Sequence, residues 1–213
     1  MGCIGYNRSK SSKGFIMGKS YQQLKFDGHL YVSGIDRSKE YEQIFKEPPV
    51  GLSILDIGCH MGYHILRAKR EGAYYCMGIE KKKEWANKAM EVSIDLNLRE
   101  FQVFNFDIIN SVWNPNSQFD ITLCLNFLHH LYPSEVGRLC SKINEWTKRK
   151  MVFIIWPPDG AYKDEVISIQ GVIGHPLRTR ISPRWFNNIW PDYEIESEPS
   201  LLSPERLIVK VTK

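Results

Sequence analysis

A glycine turn set between two apolar runs, each ending in an acid, limits the possible folds of this chain more than any other segment. Residues 54–62 read Ile-Leu-Asp-Ile-Gly-Cys-His-Met-Gly, and a helical pattern follows. The next apolar run, from Tyr74 to Ile79, is followed by Glu80. Strand, glycine loop, helix, strand and acid in this order are typical of a crevice that binds a nucleoside.

Strand-like and helical patterns alternate after this point, which predicts an α/β fold with a single doubly wound, mostly parallel seven-stranded sheet. Two short runs near the end of the chain predict an antiparallel hairpin at the sheet edge. Ser38 and Ser134 are the expected N-caps of two helices, and Pro183 suits the first position of a third. The predicted strands are 53–57, 74–79, 101–106, 119–126, 151–156, 194–198 and 207–211, and the predicted helices are 38–45, 63–70, 84–97, 134–146 and 182–190.

Length and composition favour one domain. The chain has 213 residues and shows no internal repeat, so we expect one domain over residues 21–213, preceded by a basic tail at 1–20. Within it, residues 21–50 are expected to form a lid and residues 157–183 a substrate cover. The net charge of +4 permits an anionic partner without requiring one. Five scattered cysteines, no apolar run long enough for a membrane span and no secretory signal favour a cytoplasmic protein.

Polar side chains at the predicted strand ends indicate what the crevice binds. Glu80 suits the two hydroxyl groups of a ribose, and Asp107, after the third strand, suits the exocyclic amine of a base. Each feature alone has an ordinary explanation, such as a tight turn or a solvated charge beside three lysines. Together they indicate a nucleoside ligand, although the loop lacks the G-x-G-x-x-G spacing that a dinucleotide pyrophosphate needs.

The combined pattern resembles the class I S-adenosylmethionine-dependent methyltransferases. The resemblance extends from about Ser53 to Trp156 and, in outline, to the final hairpin. It implies S-adenosyl-L-methionine as the cofactor and methyl transfer as the reaction, and it is silent about the acceptor. The motifs that carry it are Leu-Asp-Ile-Gly-Cys-His-Met-Gly at 55–62, Gly-Ile-Glu at 78–80, Asn-Phe-Asp at 105–107 and Phe-Asp-Ile-Thr-Leu-Cys-Leu-Asn-Phe-Leu-His-His-Leu at 119–131.

Carried over by position, the resemblance implies a cofactor site. Glu80 would hold the ribose hydroxyls, and Asn126 would lie beneath the sulfonium. The residues that would surround the methionine part are Asp56, Gly58, Cys59 and Gly62, and those that would bind adenine are Asp107 and Ile108. His60 departs from the pattern, because many members carry glycine there.

The segment before the first predicted strand carries a second resemblance. Tyr21-Gln22-Gln23-Leu24, with Arg37 further on, is similar to the N-terminal stretch of methyltransferases that modify the tRNA wobble uridine and of those that cap bacterial polysaccharides. This implies that Tyr21 and Arg37 help to clamp the cofactor, with the guanidinium pairing with its carboxylate. A surface arginine is the alternative interpretation of Arg37.

The acceptor side is less defined by the sequence. His129 and His130 are candidates for the general base of an O-methylation, or they are structural. Adjacent side chains diverge, so we predict no metal site there. Trp156 either stacks on a flat substrate or caps the core, and Arg178 and Arg180 either meet an anionic substrate or belong to a solvated loop.

Three functions remain open on the sequence. We favour methylation of a small molecule or a glycan end, because no appended RNA-binding domain is visible. The basic tail and the arginines near residue 180 favour an RNA methyltransferase instead. A non-catalytic partner subunit that binds the cofactor is the third possibility. The sequence makes no prediction about oligomeric state.

Overall fold

A computed structural model describes residues 20–157, 166–169 and 178–213, with only the backbone described at 166–169 and 178. The predicted tail, apart from its last residue, therefore lies outside the described residues, as does most of the predicted substrate cover. None of the helices in the described ranges is both long and apolar enough to cross a membrane.

The chain enters the domain through a small hairpin and a short helix. Strand β1 (Leu24–Phe26) pairs antiparallel with β2 (His29–Val32), and helix α1 (Ser38–Ile44) follows. The expected N-cap at Ser38 is wrong by one residue. Arg37 occupies the cap position without a capping side chain, and the Ser38 N–H donates to Asp36 Oδ1 at 2.9 Å.

A seven-stranded sheet forms the centre of the domain, as predicted. Its order is β10-β11-β7-β6-β3-β4-β5. Strand β11 is antiparallel to both of its neighbours, and the other adjacent pairs are parallel. The strands are β3 (Ser53–Ile57), β4 (Tyr75–Glu80), β5 (Phe101–Asn105), β6 (Phe119–Leu125), β7 (Thr147–Ile155), β10 (Glu194–Pro199) and β11 (Leu207–Thr212).

Helices cover both faces of the sheet and close two hydrophobic cores. One core lies under the β1–β2 hairpin, α1, α2 (Tyr63–Arg70) and α3 (Lys83–Asp95). The other lies under α4 (Pro133–Trp146) and α5 (Pro183–Ile189). Nearly all apolar side chains of the central strands are buried, as expected for a parallel sheet covered on both sides.

Element boundaries differ from the prediction where polar residues obscure a strand or a cap. Strand β7 begins at Thr147 rather than at residue 151. Residues 148–150 are charged and hide the start of the strand pattern in the sequence. Helix α4 begins at Pro133, not after a cap at Ser134, and the Tyr132 N–H donates to the Glu135 carboxylate at 2.9 Å. A second small hairpin, β8 (Val166–Ile169) with β9 (Arg178–Ile181), occupies a stretch that we expected to be irregular.

The strand order places a crevice between β3 and β6. From β3 the chain continues outward through β4 and β5, then returns to the other side of β3 at β6. The loops after β3 and β6 therefore run in opposite directions, which leaves a gap between the carboxyl ends of these two strands. The glycine loop after β3 and Asn126 after β6 border this gap.

Candidate active site

A cleft of about 700 Å³ opens at the carboxyl ends of the parallel strands. It brings together residues that are far apart in the sequence, from Tyr21 to Arg206. The predicted site residues that line it are Tyr21, Gly58, Glu80, Asp107, Ile108, Asn126, His129 and His130.

The glycine loop uses its own amides to hold its shape. The N–H groups of Gly58 and Cys59 both donate to the Ile79 carbonyl, at 2.8 and 3.1 Å, and the His60 N–H donates to Glu80 Oε2 at 3.0 Å. These three amides are therefore engaged within the protein. The loop therefore contributes a fixed surface beside the cleft rather than a cradle of N–H donors.

Positive backbone φ angles give this loop its path. Gly58 has φ 71°, Gly62 has φ 74°, and His60 between them has φ 55°. A Cβ at Gly58 would lie 2.5 Å from Phe127 Cδ2, so this glycine also makes room for the aromatic ring across the crevice. Gly62 precedes α2 and packs against Ala89 instead of facing the cleft.

Glu80 is held at the end of β4 with both carboxylate oxygens oriented. Oε2 accepts the His60 N–H at 3.0 Å, and Oε1 accepts the Lys82 N–H at 2.7 Å. The side chain is buried yet borders the cleft. Each oxygen can accept a further hydrogen bond, so the carboxylate presents two acceptors with the spacing of a vicinal diol.

Asp56 and Cys59 lie behind the loop and not in the main cleft. Both border a small neighbouring cavity that also touches Asn126. Burial, with the nearby charges of Glu80 and Glu40, raises the pKa of Asp56 to about 8. Burial likewise raises the pKa of the Cys59 thiol. At neutral pH both groups are protonated, which suits a supporting role beneath the loop.

The far end of the cleft is built around Asp107. Partial burial opposes its ionisation, but donors outweigh it and lower its pKa: Lys81 at 2.7 Å, the Ile109 N–H at 3.1 Å and Asn110 at 3.0 Å. Ile108 is buried beside it. The pair places a carboxylate next to an apolar surface.

An aromatic wall along the cleft was missed by the sequence analysis. The rings of Tyr21 and His60 have centroids 5.6 Å apart, those of His60 and Trp85 lie 3.7 Å apart, and Lys82 Nζ sits 3.9 Å from the Trp85 ring. Burial, followed by the charges of Lys82 and Arg37, lowers the pKa of His60 to about 4. This histidine is therefore a neutral stacking partner at neutral pH.

Arg37 supports the cleft from behind. It is 2% exposed, which rules out a surface arginine. Its Nη1 contacts the Glu40 carboxylate at 3.1 and 3.3 Å, its Nη2 donates to the Tyr21 carbonyl at 3.2 Å, and its guanidinium lies 4.0 Å from the Tyr21 ring. Of the two residues predicted to clamp the cofactor, only Tyr21 lines the cleft. Arg37 holds Tyr21 in position from behind.

The other end of the cleft is formed by the turn after β6. Asn126 has φ 55° and is followed by a 3-10 turn, Leu128–His130. The rings of His129 and His130 lie 3.9 Å apart, and His129 lies 5.9 Å from the ring of half-buried Trp156. Trp156 thus stands behind the histidine pair.

Arg206, in the turn between β10 and β11, completes this end and was also missed. Its Nη1 donates to Asn126 Oδ1 at 2.7 Å, and its guanidinium lies 4.9 Å from the Trp156 ring. The two hydrogen-bonded residues are 80 positions apart. No motif surrounds Arg206 in the sequence, so only the sheet order reveals it.

Of the two predicted substrate arginines, Arg180 does not line the cleft. Arg180, in β9, is half-buried and donates to the Pro157 carbonyl at 3.3 Å. The side chain of Arg178 lies outside the described residues.

Comparison with known proteins identifies related domains. Residues 54–150 match the family model of a methyltransferase domain. A tRNA U34 carboxymethyltransferase from Pseudoalteromonas translucida is 38% identical over 61 residues, covering 25% of this chain and 19% of that protein. The matched stretch therefore spans less than one fifth of this relative's length.

Solved structures share the fold at low sequence identity. An S-adenosylmethionine-dependent methyltransferase from Mesorhizobium loti superposes with a TM-score of 0.63 at 16% identity, covering 83% of this chain and 97% of that one. The magnesium protoporphyrin IX methyltransferase of Synechocystis PCC 6803, solved with bound S-adenosylmethionine, gives 0.60 at 13% identity, with coverages of 82% and 76%. These likenesses establish the architecture around the cleft.

Proposed function

We propose that the protein is an S-adenosylmethionine-dependent methyltransferase that methylates a hydroxyl group of a small molecule or of a glycan end. The match of residues 54–150 to a methyltransferase domain, and the fold shared with an S-adenosylmethionine-dependent methyltransferase, support this proposal. The cofactor supplies an electrophilic methyl group on a positively charged sulfonium. The residues of the cleft have to bind the cofactor, align the acceptor and remove its proton.

The observation that carries this proposal is the setting of Glu80. Its two oxygens are anchored by the N–H groups of His60 and Lys82 and face the cleft beside the topological switch point. On the proposed function, Glu80 accepts hydrogen bonds from both ribose hydroxyls, and Asp107 with Ile108 receives the adenine. The methionine part then lies along the glycine loop, toward Tyr21 and Asn126.

Proton removal is assigned to the histidine pair. His129 and His130 line the cleft beyond Asn126, where an acceptor would approach the methyl group. An imidazole titrates near neutral pH and is suited to take the proton of a hydroxyl group as it is methylated. We assign the base to His129, the half-buried member, which packs near Trp156.

The size of the cleft supports a small acceptor. Its volume of about 700 Å³ lies within the range of small-molecule sites, and the cofactor would fill a large part of it. His129, Arg206 and Tyr21 border the remaining space. This space suits a small molecule or the end of a chain.

Calorimetry with S-adenosylmethionine and with S-adenosylhomocysteine tests the donor site. We expect Glu80→Ala to weaken binding by about 100-fold, because two hydrogen bonds to a charged group are lost. Glu84→Ala is the matched control, since Glu84 carries the same charge nearby on α3 but does not line the cleft. Absence of binding by the wild-type protein would refute the proposal.

A second candidate is transfer to RNA, supported by the relative that acts on tRNA U34. Methyl-labelled cofactor should be offered with RNA in one reaction and with a small-molecule extract in another. Label in RNA, with affinity that falls steeply as salt rises, would favour the second candidate. Cofactor binding without transfer to either pool would point to a non-catalytic subunit.

A further inference from the structure

Arg206 lines the cleft without an acidic partner. Among the described residues, no carboxylate lies within 4.0 Å of its guanidinium, and its Nε is buried without a hydrogen-bond partner. The arginines that do have a carboxylate within 3.4 Å are Arg37, Arg67, Arg70 and Arg149. A positive charge with no carboxylate partner therefore lies at the cleft.

The guanidinium of Arg206 is nevertheless held in a defined position. Its Nη1 donates to Asn126 Oδ1 at 2.7 Å, and the aromatic face of Trp156 lies 4.9 Å away. Arg206 and Tyr21 both line the cleft. A planar fork fixed in this way is suited to bind a carboxylate or a phosphate with two parallel hydrogen bonds.

The proposed chemistry makes this charge costly unless an anion joins it. Asn126, the partner of Arg206, lies where the cofactor sulfonium is expected, and the sulfonium is also positive. Two like charges in one cleft repel, and the repulsion is stronger in a partly desolvated cleft than in water. A negative group beside Arg206 would offset both charges.

We propose that the acceptor carries an anionic group, a carboxylate or a phosphate, and that Arg206 binds this group beside the atom that receives the methyl group. The inference rests on the proposed function and narrows its substrate class. Arg206 would then select acceptors by charge, while Asn126 and Trp156 keep its guanidinium in position.

A transfer assay tests the inference. A small-molecule extract is separated by anion exchange into anionic and neutral fractions, and each is offered with methyl-labelled cofactor. We expect label in the anionic fraction. Arg206→Met should lower kcat/KM about 100-fold, Arg206→Lys should lower it less, and donor affinity should stay within about twofold. Arg99→Met, at the opposite end of the sheet and exposed, is the control.

A binding assay tests the same site without catalysis. The protein loaded with S-adenosylhomocysteine is titrated with inorganic phosphate, and tryptophan fluorescence reports binding near Trp156. Wild-type and Arg99→Met proteins should respond in the millimolar range, and Arg206→Met should not. Equal responses of all three proteins would overturn the inference.

Three results of the transfer assay would also overturn it. The first is label in the neutral fraction alone, and the second is an unchanged kcat/KM in Arg206→Met. The third is a tenfold loss of donor affinity in Arg206→Met, which would mean that Arg206 binds the carboxylate of the methyl donor rather than the acceptor. If the wild-type protein transfers no label to either fraction, that result contradicts the proposed function and not the inference about Arg206. Phosphate binding that depends on Arg206 would then still support an anion site.

Discussion

The two ends of the cleft are built in different ways. The donor end, from Gly58 to Ile108, consists of strand ends and the loops directly after them, and main-chain N–H groups fix its key carboxylate at Glu80. The acceptor end joins Tyr21, Asn126 and Arg206, which come from three distant parts of the chain. The shape of the donor end is therefore set by the sheet and its loops. The acceptor end depends on side chains that come together only when the whole domain has folded.

This difference leads to different sensitivities. A change at the donor end should alter loop geometry, stability and cofactor affinity together, because the same hydrogen bonds serve all three. A change at the acceptor end should alter turnover with little effect on the fold. Four substitutions test this separation.

The largest effect is expected from His129→Ala at the acceptor end. Loss of a general base should lower kcat by about 100-fold or more, while the dissociation constant of the cofactor stays unchanged. The measurement is steady-state methyl transfer with calorimetry on the same samples. His130→Ala is the comparison, and full activity in both variants would make the pair structural.

Asp56→Asn probes the support beneath the donor end. The folded state raises the pKa of Asp56 from 3.8 to about 8, so the stability that its proton contributes is complete below pH 3.8 and is lost as pH rises toward 8. The variant has no such titration. Its free energy of unfolding should exceed that of the wild type increasingly from pH 4 to pH 8, by on the order of a few kcal/mol at the top.

Urea unfolding at pH 5 and pH 8 measures this difference. A constant difference between the two proteins at both pH values would contradict the raised pKa of Asp56. It would also remove the argument that this acid is a neutral support beneath the glycine loop.

Gly58→Ala tests whether the loop and the crevice are sterically coupled. The new Cβ would meet the Phe127 ring at 2.5 Å, in addition to the strain of a φ of 71°. Gly51 has a similar φ of 74° but open space around its Cβ position, so Gly51→Ala carries the backbone strain alone. We expect Gly58→Ala to lose about 1–3 kcal/mol more stability than this control.

Denaturant unfolding of both glycine variants gives that difference, and calorimetry should show weaker cofactor binding only for Gly58→Ala. Equal destabilisation of the two variants would mean that Phe127 moves aside freely. The donor and acceptor ends would then be less tightly joined than their contacts indicate.

The smallest effect is expected from Asp107→Ala. One hydrogen bond to an adenine amine is lost, which should weaken cofactor binding by up to about tenfold. Lys81→Ala removes only the exposed ion pair to Asp107, and we expect it to change affinity by less than about twofold. Calorimetry at low and moderate salt compares the cofactor affinities of the two variants. A larger loss of affinity in Lys81→Ala than in Asp107→Ala would mean that Lys81, and not Asp107, contacts the cofactor.

The same contrast explains what the sequence could predict. Apolar runs that end in a polar residue or a glycine turn revealed β3, β4 and β6, and with them Glu80 and Asn126. The amphipathic periodicity of α3 places Trp85 on its apolar face but does not indicate that the ring also faces His60. Arg206 could not be predicted, because its partner Asn126 lies 80 positions away in the sequence and such a contact leaves no local pattern.

One missed element did leave a signal. The β1–β2 hairpin turns at Asp27-Gly28, with φ 51° and 77°, and Asp-Gly between short apolar stretches is a known hairpin turn. The strands on either side are only three and four residues long, so their alternation was too brief to recognise. Strand β7 was shortened in the prediction for a related reason, since its first residues are charged.

The position of β11 affects how the protein comes to be active during synthesis. This strand is inserted between β7 and β10, and the turn that leads into it carries Arg206. Ribosomes make the chain from its amino end, so every donor-end residue has emerged long before β11 exists. A nascent or prematurely ended chain would thus have the elements that hold the cofactor but not the residue that we assign to the acceptor. Competence for transfer would arrive only once β11 has been made.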